Sequence, residues 1–306
     1  MADLASRPLE CWLPDLQRFD SAHPVRALLP RADRLDNGAV GYLGGLAGYF
    51  QCTEGMPAAA LTREHLLGDA GAASWLSADP AWVQPDLSGA RLLACGQLQL
   101  SMAEAQALAE PLKPVFSDAG MTLEISSPDR WHLRLLTPMP LPDFAAPEQA
   151  LGEDLYEHLP QGPDGRRWRV LLNEVQVLLH QHPANAQRRA RGLPPVNSVW
   201  LWGGGALPSR VGTALSGVMG DDVLLLALAK RAGIPMQPRD QASVSAAQAG
   251  WLIDLQDLAA DDIAATWWPL LQVQAKRQPL MVSFASGERW LLRPWHHLRF
   301  WRRAAR

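Results

Sequence analysis

The segment that decides the fold is HPANAQRRARGLPPVNSVWLWGGG, residues 182–205. Ahead of it, apolar residues recur at three- and four-residue spacing, which predicts one buried face of a helix. These residues are Trp168, Leu171, Leu172, Val175, Leu178 and Leu179. Pro183 is expected to end that helix near His182, because the residue before a proline disfavours helical backbone. The sequence therefore predicts a helix, a basic turn, a buried strand over 198–202 and a glycine loop over 203–205.

The same segment predicts an anion site where its strand ends. Arginine offers a planar fork of donors suited to phosphate or carboxylate, and glycine lets a backbone amide approach an oxyanion closely. In α/β proteins, ligands bind at the carboxyl ends of strands. The candidate ligand-binding residues are Asn185, Arg188, Arg191, Asn197, Gly203, Gly204 and Gly205. In the structural alternative, the arginines are solvated at a helix end, and Asn185 and Asn197 hold the proline-rich turn.

The spacing of these residues resembles that of a known enzyme family. Asn185-x-x-Arg188, Arg191-Gly-Leu-Pro-Pro-x-Asn197 and Trp202-Gly-x-Gly205 resemble a segment of the archaeal-type cofactor-independent phosphoglycerate mutases of the alkaline phosphatase superfamily. The whole chain resembles the bacterial RpfE-type regulatory proteins more closely, and these carry the same segment. The resemblance implies an α/β fold with a mixed sheet flanked by helices, that is, a degenerate alkaline-phosphatase-like core, with a smaller α+β subdomain.

Breaker residues and local patterns divide the chain into four predicted segments. Residues 1–73 are expected to form an irregular N-terminal lead-in that packs on the body, and 74–136 the smaller α+β subdomain. In this subdomain Ser101 and Glu104 form a capping box that opens a helix, and two short strands follow as a hairpin. Residues 137–165 contain six prolines and are predicted to be a linker. Residues 166–306 form the predicted α/β core with an aromatic, basic tail.

Composition narrows the class of protein. The 306 residues are 48% hydrophobic, enough for a sizeable core, and the net charge of −3 argues against a dedicated nucleic-acid binder. The three cysteines are far apart and form no CxxC motif, which favours a reducing compartment without a zinc cluster. No apolar run is long enough for a signal peptide or a membrane span. The chain is therefore predicted to be cytoplasmic.

The chemistry of the mutases is not visible in this sequence. The resemblance implies two divalent metal ions held by Asp and His side chains, and a Ser that carries the phosphoryl group. No strand followed by an Asp signature opens the chain, and Asp254-Leu-Gln-Asp257 follows a predicted strand without a neighbouring His. The eight histidines form no HxxxH or HxxE grouping. No catalytic residue, metal ligand or cofactor is therefore assigned.

These observations favour a non-catalytic regulatory or binding protein related to the mutases, which binds a small phosphorylated or carboxylate metabolite or a partner protein. Arg188→Ala is then expected to weaken ligand binding without unfolding the chain. One alternative is an active metal-dependent phosphomutase or phosphohydrolase with dispersed ligands. Another is a protein-interaction module that acts through the C-terminal tail, with Trp295, Trp301, Arg302 and Arg303 as contacts. Neither nucleic-acid binding nor a membrane span is expected.

Overall fold

The computed structural model describes residues 7–53, 55–86 and 89–299. The chain divides into two compact units: unit 1 combines Met1–Thr53 with Arg210–Arg306, and unit 2 is Glu54–Ser209. These boundaries differ from those of the four segments predicted from the sequence. The predicted tail contacts Trp301, Arg302 and Arg303 lie outside the described residues.

The strands and helices are numbered in chain order. The strands are β1 (Leu9–Leu13), β2 (Asp33–Leu35), β3 (Phe50–Cys52), β4 (Ser74–Pro85), β5 (Ala90–Cys95), β6 (Met121–Ser127), β7 (Arg130–Leu135), β8 (Ser198–Ala206), β9 (Val211–Thr213), β10 (Gly217–Met219), β11 (Met236–Gln237), β12 (Trp251–Asp254), β13 (Leu280–Phe284) and β14 (Arg289–Leu292). The α-helices are α1 (Pro24–Leu28), α2 (Tyr42–Tyr49), α3 (Ala58–Leu67), α4 (Met102–Ala109), α5 (Leu112–Asp118), α6 (Pro147–Ala150), α7 (Leu155–His158), α8 (Gly162–His180), α9 (Pro183–Ala190), α10 (Val223–Ala232), α11 (Gln241–Ser245), α12 (Ala260–Asp262) and α13 (Trp268–Arg277). A π-helical turn, Ile263–Trp267, joins α12 to α13, and 3₁₀ turns cover Leu16–Arg18, Leu29–Arg31 and Pro294–Leu298.

Unit 1 is built on a seven-stranded mixed sheet with the order β11-β10-β12-β1-β13-β14-β2. The five strands from β11 to β13 are parallel. Strand β14 pairs antiparallel with β13, and β2 pairs antiparallel with β14. The predicted mixed sheet with flanking helices is thus confirmed. The prediction of an irregular lead-in is wrong for Leu9–Leu13, which forms the middle strand of the sheet. Glu10 interrupts the apolar run there, and this hid the strand in the sequence.

The two faces of this sheet differ in chemistry. Alternate residues of β1 point to opposite faces, and Leu9, Cys11 and Leu13 lie in the apolar core of the unit. Glu10 and Trp12 point to the other face. Trp12 pairs in register with Asp254 on β12 and Ser283 on β13, and Ser283 pairs in register with Arg289 on β14. We call the face that carries these polar groups the polar face.

Helix α2 lies against the polar face through Trp12. The Trp12 ring stacks on Tyr42, with ring centroids 6.1 Å apart, and meets the edge of Tyr49 at 5.8 Å. Gly45 lies between these two tyrosines in the helix. A Cβ atom added to Gly45 would lie 2.3 Å from the Trp12 ring, so the helix approaches the sheet this closely only with glycine at this position.

Replacing Gly45 with alanine is therefore expected to lower the free energy of unfolding by about 2 kcal/mol, because the buried indole has to move. Gly48→Ala is the matched control, since a Cβ there meets no atom within 4 Å. That variant is expected to be neutral or more stable by up to about 1 kcal/mol, because alanine favours helix over glycine. Denaturant unfolding of the full chain measures both. Equal effects of the two substitutions would contradict the close approach.

Unit 2 contains an antiparallel sheet of five strands. Strand β4 pairs with β5, β7 and β8, and β7 also pairs with β6. The predicted β6–β7 hairpin and the Ser101–Glu104 capping box of α4 are confirmed. The predicted apolar face of the long helix is also confirmed. Trp168, Leu171, Leu172, Val175 and Leu179 on α8 are buried in the core of the unit, and Leu178 packs at its margin.

Candidate functional site

The decisive segment, 182–205, lies in unit 2 and differs from the prediction at two points. The expected basic turn is the helix α9, which begins at Pro183 after the His182 side chain accepts a hydrogen bond from the Ala184 amide. Proline suits the first position of a helix, where its missing amide proton has no helical partner. The expected glycine loop is part of strand β8.

Both candidate asparagines hydrogen-bond to the main chain. Asn185 is fully buried; its side chain donates to the carbonyls of Leu179 and Val196 and accepts from the Val196 amide. Asn197 spans to β4, where its amide oxygen accepts from the Val83 amide at 2.8 Å and its nitrogen donates to the Val83 carbonyl at 2.7 Å. Together they fix the ends of the proline-rich connection between α9 and β8.

The two candidate arginines contact protein acceptors. The side chain of Arg188 is 0% exposed; it donates to the carbonyls of Pro194 and Leu98 and lies 3.6 Å from the Glu104 carboxylate. Arg191, which is half exposed, pairs with the same carboxylate. Hydrogen bonds from Ser101 and the Arg191 guanidinium lower the pKa of Glu104 to about 2. Glu104 therefore stays ionised and holds both cations.

The three candidate glycines permit close packing within unit 2. An added Cβ would lie 2.7 Å from the Ala58 side chain at Gly203, 2.5 Å from Leu141 at Gly204 and 2.9 Å from the Pro57 side chain at Gly205. Gly203 also has φ = 64°, in the left-handed region that favours glycine. Ligand binding by the seven residues stays a prediction, but their contacts favour the structural alternative.

A different site emerges in unit 1, where a cavity of about 350 Å³ lies on the polar face. Its lining includes Glu10, Arg289 and Ser283 from the sheet, Tyr49 from α2, and Arg7 ahead of β1. The Arg289 guanidinium has no carboxylate within 4 Å among the described residues, and Arg7 donates to the Ala214 carbonyl. The cavity therefore carries two guanidinium groups and one carboxyl group. We call it the polar-face cavity.

Burial changes the ionisation of the acidic groups in this cavity. Desolvation raises the pKa of Glu10, and the Arg289 charge and a hydrogen bond from Tyr49 only partly oppose it. Desolvation also raises the pKa of the Tyr49 phenol, which keeps its proton. A carboxyl group with a raised pKa offsets less of the positive charge of Arg7 and Arg289. The electrostatics of the cavity thus favour an anionic ligand.

Unsatisfied polar atoms lie beside the cavity and elsewhere on the polar face. Among the described residues, Ser216 Oγ, Ser283 Oγ and Asp254 Oδ2 are buried without a hydrogen-bond partner. Ser283 lines the cavity together with Tyr49. Ser216 lies against Gly250, which also lines it. Buried polar atoms are normally hydrogen-bonded, so these atoms have capacity for a further hydrogen bond.

The sequence reading missed this site because its residues are dispersed. Glu10, Tyr49, Ser283 and Arg289 come from positions up to 279 residues apart, and no short motif joins them. The one available signal was the charged residue inside the apolar run Leu9–Leu13. A carboxyl group at the middle of a strand that is otherwise apolar indicates a polar cluster on one face of the sheet.

The aspartates at the carboxyl ends of the parallel strands of unit 1 show whether the two metal ions implied by the resemblance fit this chain. Asp222 caps α10 and accepts a hydrogen bond from Tyr42 at 2.5 Å, so it is already engaged. Asp221 and Asp257 pair with Arg239. Across 7–53, 55–86 and 89–299, no group of three or more His, Cys, Asp or Glu side chains is arranged to hold a metal ion. The described residues therefore do not fit a two-metal centre.

Comparison with known proteins identifies relatives of part of the chain. A stretch of 63 residues is 38% identical to the 2,3-bisphosphoglycerate-independent phosphoglycerate mutase of Methanothrix thermoacetophila and covers 21% of this chain. A stretch of 62 residues is 40% identical to a probable mutase of the same type from Geobacter sulfurreducens and covers 20% of this chain. Each match spans only 16% of the relative's length. Part of the chain is thus homologous to these mutases, while no protein-family model matches it.

Two solved structures align with most of the chain at low identity. The cofactor-independent phosphoglycerate mutase of Thermoplasma acidophilum aligns over 94% of this chain and 89% of its own, with 12% identity and a TM-score of 0.41. A protein of Pyrococcus horikoshii aligns over 94% of this chain and 87% of its own, with 11% identity and a TM-score of 0.43.

Within the described residues, no helix is both long enough and apolar enough to span a membrane.

Proposed function

We propose that this chain is a binding protein for a small anionic metabolite, a phosphorylated or carboxylic acid, and that the ligand occupies the polar-face cavity. The observation that carries the proposal is the Arg289 guanidinium, which lines the cavity and has no carboxylate partner within 4 Å among the described residues. A guanidinium in a partly desolvated cavity stabilises an anion more strongly than one in water. The partial homology to phosphoglycerate mutases favours a phosphorylated hydroxy acid.

A regulatory role in the cytoplasm is part of the same proposal. It rests on the resemblance to RpfE-type regulatory proteins and on Asp221 and Asp257, which pair with Arg239. In the described part of the chain, no three His, Cys, Asp or Glu side chains are arranged to hold a metal ion. In this view the chain senses the metabolite and does not convert it. The interaction of the tail with a partner protein stays a prediction; Trp295, its first residue, is exposed.

Calorimetric titration of the full chain with 3-phosphoglycerate, phosphate and malate tests the proposal. Arg289→Gln is expected to weaken binding by about tenfold or more, since a charge-assisted hydrogen bond contributes about 1.5–3 kcal/mol. Arg34→Gln is the matched control. Arg34 lies on β2 opposite Trp290, the next residue to Arg289, and on the other face of the sheet. The Arg34→Gln substitution removes the same charge outside the cavity and is expected to leave binding unchanged.

The same samples separate binding from catalysis. The proposal is supported by two results together. Binding is saturable, weaker in Arg289→Gln and unchanged in Arg34→Gln, and a mutase assay with added Mn²⁺ shows no turnover. Turnover that depends on Mn²⁺ would establish the alternative of an active phosphomutase. Equal affinities of wild type and Arg289→Gln would show that the anion does not bind in the polar-face cavity.

A further inference from the structure

Of the described residues that line the polar-face cavity, Glu10 alone carries a carboxyl group. It lies on β1, the middle strand of the seven-stranded sheet, and its side chain is partly buried. Its in-register neighbours on the flanking strands are Leu252 on β12 and Met281 on β13. Neither side chain can neutralise a carboxylate, so the two paired strands supply no charge to Glu10 at its own register.

Three other titratable side chains share the cavity with Glu10, namely Arg289 from β14, Tyr49 from α2 and Arg7 from the segment ahead of β1. The Arg289 side chain extends over β13, where its Nη2 donates to the Met281 sulfur at 3.3 Å. Because Met281 pairs in register with Glu10, the guanidinium lies near the carboxyl group. The two form no ion pair within 4 Å in the described part of the chain, so Arg289 keeps donors for a ligand.

The surroundings of Glu10 favour its protonated form. Desolvation raises the pKa of this carboxyl group, and the charge of Arg289 and a hydrogen bond from Tyr49 only partly oppose it. A protonated carboxyl group offers one O–H donor, whereas an ionised one would repel an anion in the same cavity. Glu10 therefore suits an anionic ligand only while it holds its proton.

We propose that Glu10 contacts the bound anion as a neutral carboxylic acid, which donates its O–H to the ligand, and that anion binding is thereby linked to protonation of Glu10. The proton comes from solvent. This inference rests on the proposed function, since it assigns the role of one residue in the same cavity. Arg289 and Arg7 supply the positive charge there and Glu10 a neutral donor, so no negative group lining the cavity opposes the ligand.

The sign of the expected pH dependence follows from this linkage. A bound anion raises the pKa of Glu10 further, because a nearby like charge disfavours the ionised carboxylate. Between the pKa values of the free and the ligand-bound protein, binding takes up a proton, and the affinity falls by up to about tenfold per pH unit as the pH rises. Below the pKa of the free protein Glu10 is already protonated, so the affinity no longer changes.

Calorimetric titration of the full chain with sulfate between about pH 5 and pH 9 tests the inference, since this range begins just above the pKa of an ordinary glutamate. Sulfate stays a dianion throughout, so it contributes no titration of its own. Repeating each titration in buffers of different ionisation enthalpy measures the protons taken up. Wild type is expected to take up protons on binding and to bind more weakly as the pH rises.

Substitutions of Glu10 separate its donor role from its charge. Glu10→Gln keeps a neutral donor and cannot titrate, so it is expected to bind sulfate without proton uptake and with an affinity independent of pH. Glu10→Ala lacks the donor and is expected to bind about tenfold more weakly than Glu10→Gln, because a hydrogen bond to a charged group is lost. Glu288→Gln is the matched control. Glu288 does not line the cavity, so this variant is expected to keep the proton uptake of wild type.

The outcomes distinguish this inference from the proposed function. Titration with 3-phosphoglycerate runs in parallel, and the difference between wild type and Glu10→Gln removes the protonation of that ligand itself. Binding that Arg289→Gln weakens, but that shows no proton uptake dependent on Glu10, would overturn the inference alone, as would equal affinities of Glu10→Gln and Glu10→Ala. Absence of saturable binding of both anions would overturn the inference and the proposed function together.

Discussion

Replacing Arg188 with alanine is expected to lower the free energy of unfolding of unit 2 by about 3 kcal/mol. The guanidinium is fully buried and joins the carbonyls of Leu98 and Pro194 to the Glu104 carboxylate. Its loss leaves two carbonyls in a closed space without a donor, and each unsatisfied group costs about 1–3 kcal/mol. Burial lowers the pKa of Arg188, because the protonated guanidinium is desolvated.

Arg189→Ala is the matched control for this prediction. Arg189 is the next residue of α9 and is exposed, and its side chain forms no hydrogen bond or ion pair among the described residues. Its loss is therefore expected to change stability by less than about 0.5 kcal/mol. Hydrogen exchange of unit 2 peptides in the full chain measures both effects. The structural role of Arg188 would be contradicted by an alanine variant that is as stable as wild type and has lost anion binding.

The second large effect is expected at His132, which is 0% exposed in unit 2. Its Nε2 lies 2.9 Å from Thr62 Oγ1, which itself donates to the Ala58 carbonyl. Its Nδ1 lies 2.7 Å from Ser126 Oγ, which accepts from Arg63 at 3.0 Å. Nε2 donates to Thr62, and the hydroxyl proton of Ser126 is free to be donated to Nδ1, an arrangement that a neutral ring satisfies. Desolvation, followed by the charges of Arg63 and Arg130, lowers the pKa of His132 from 6.5 to about 3, although Asp69 opposes this.

A folded-state pKa below the unfolded value means that the unfolded chain binds the proton first as pH falls. Unit 2 is therefore expected to lose stability below about pH 6.5, by up to about 1.4 kcal/mol per pH unit. Down to about pH 5, carboxyl groups of ordinary pKa stay ionised. Asp254 in unit 1 acts in the opposite direction, because burial and the charge of Asp222 raise its pKa to about 8. Asp79 in unit 2 acts in the same direction as Asp254, because desolvation by burial raises its pKa. A local measurement on unit 2 excludes the contribution of Asp254, and the difference between wild type and His132→Gln isolates that of His132.

Hydrogen exchange of the β6–β7 hairpin between about pH 7 and pH 5 checks this expectation, after correction for the intrinsic dependence of exchange on pH. His132→Gln is the control, since glutamine keeps a donor and an acceptor but does not titrate. It is expected to be less stable at high pH and to lose the pH dependence. If the stability of the hairpin depends on pH equally in wild type and in His132→Gln, a neutral, buried His132 is ruled out as the cause of that dependence.

The local elements of this fold could be predicted from the sequence wherever one pattern dominates. The apolar stripe of α8, the capping box at Ser101 and the β6–β7 hairpin are each determined by residues close in the chain, and all three form as predicted. Strand β1 was not predicted, because Leu9–Leu13 is short and Glu10 breaks its apolar pattern. Its place at the middle of the sheet depends on pairing with β12 and β13, which lie more than 200 residues away.

The candidate site shows the same limit. Arginines, asparagines and glycines in one short segment predicted an anion site, yet these residue types equally hold a turn and permit close packing. Sequence spacing cannot distinguish the two roles, because burial and partners such as Glu104 decide between them. Glu10 was the one sequence signal for the polar-face cavity, and the cavity could not be located from it, since Glu10, Tyr49 and Arg289 meet only after the sheet has formed.

Hydrogen exchange of the full chain, with and without 3-phosphoglycerate, tests the central claim most directly, because it locates the anion site in the same experiment that detects binding. The proposal predicts added protection in peptides that cover 7–13, 42–49 and 280–292, with no change over 183–205. Protection over 183–205 without any change in the cavity peptides would contradict it, and so would the absence of protection throughout the chain at saturating ligand.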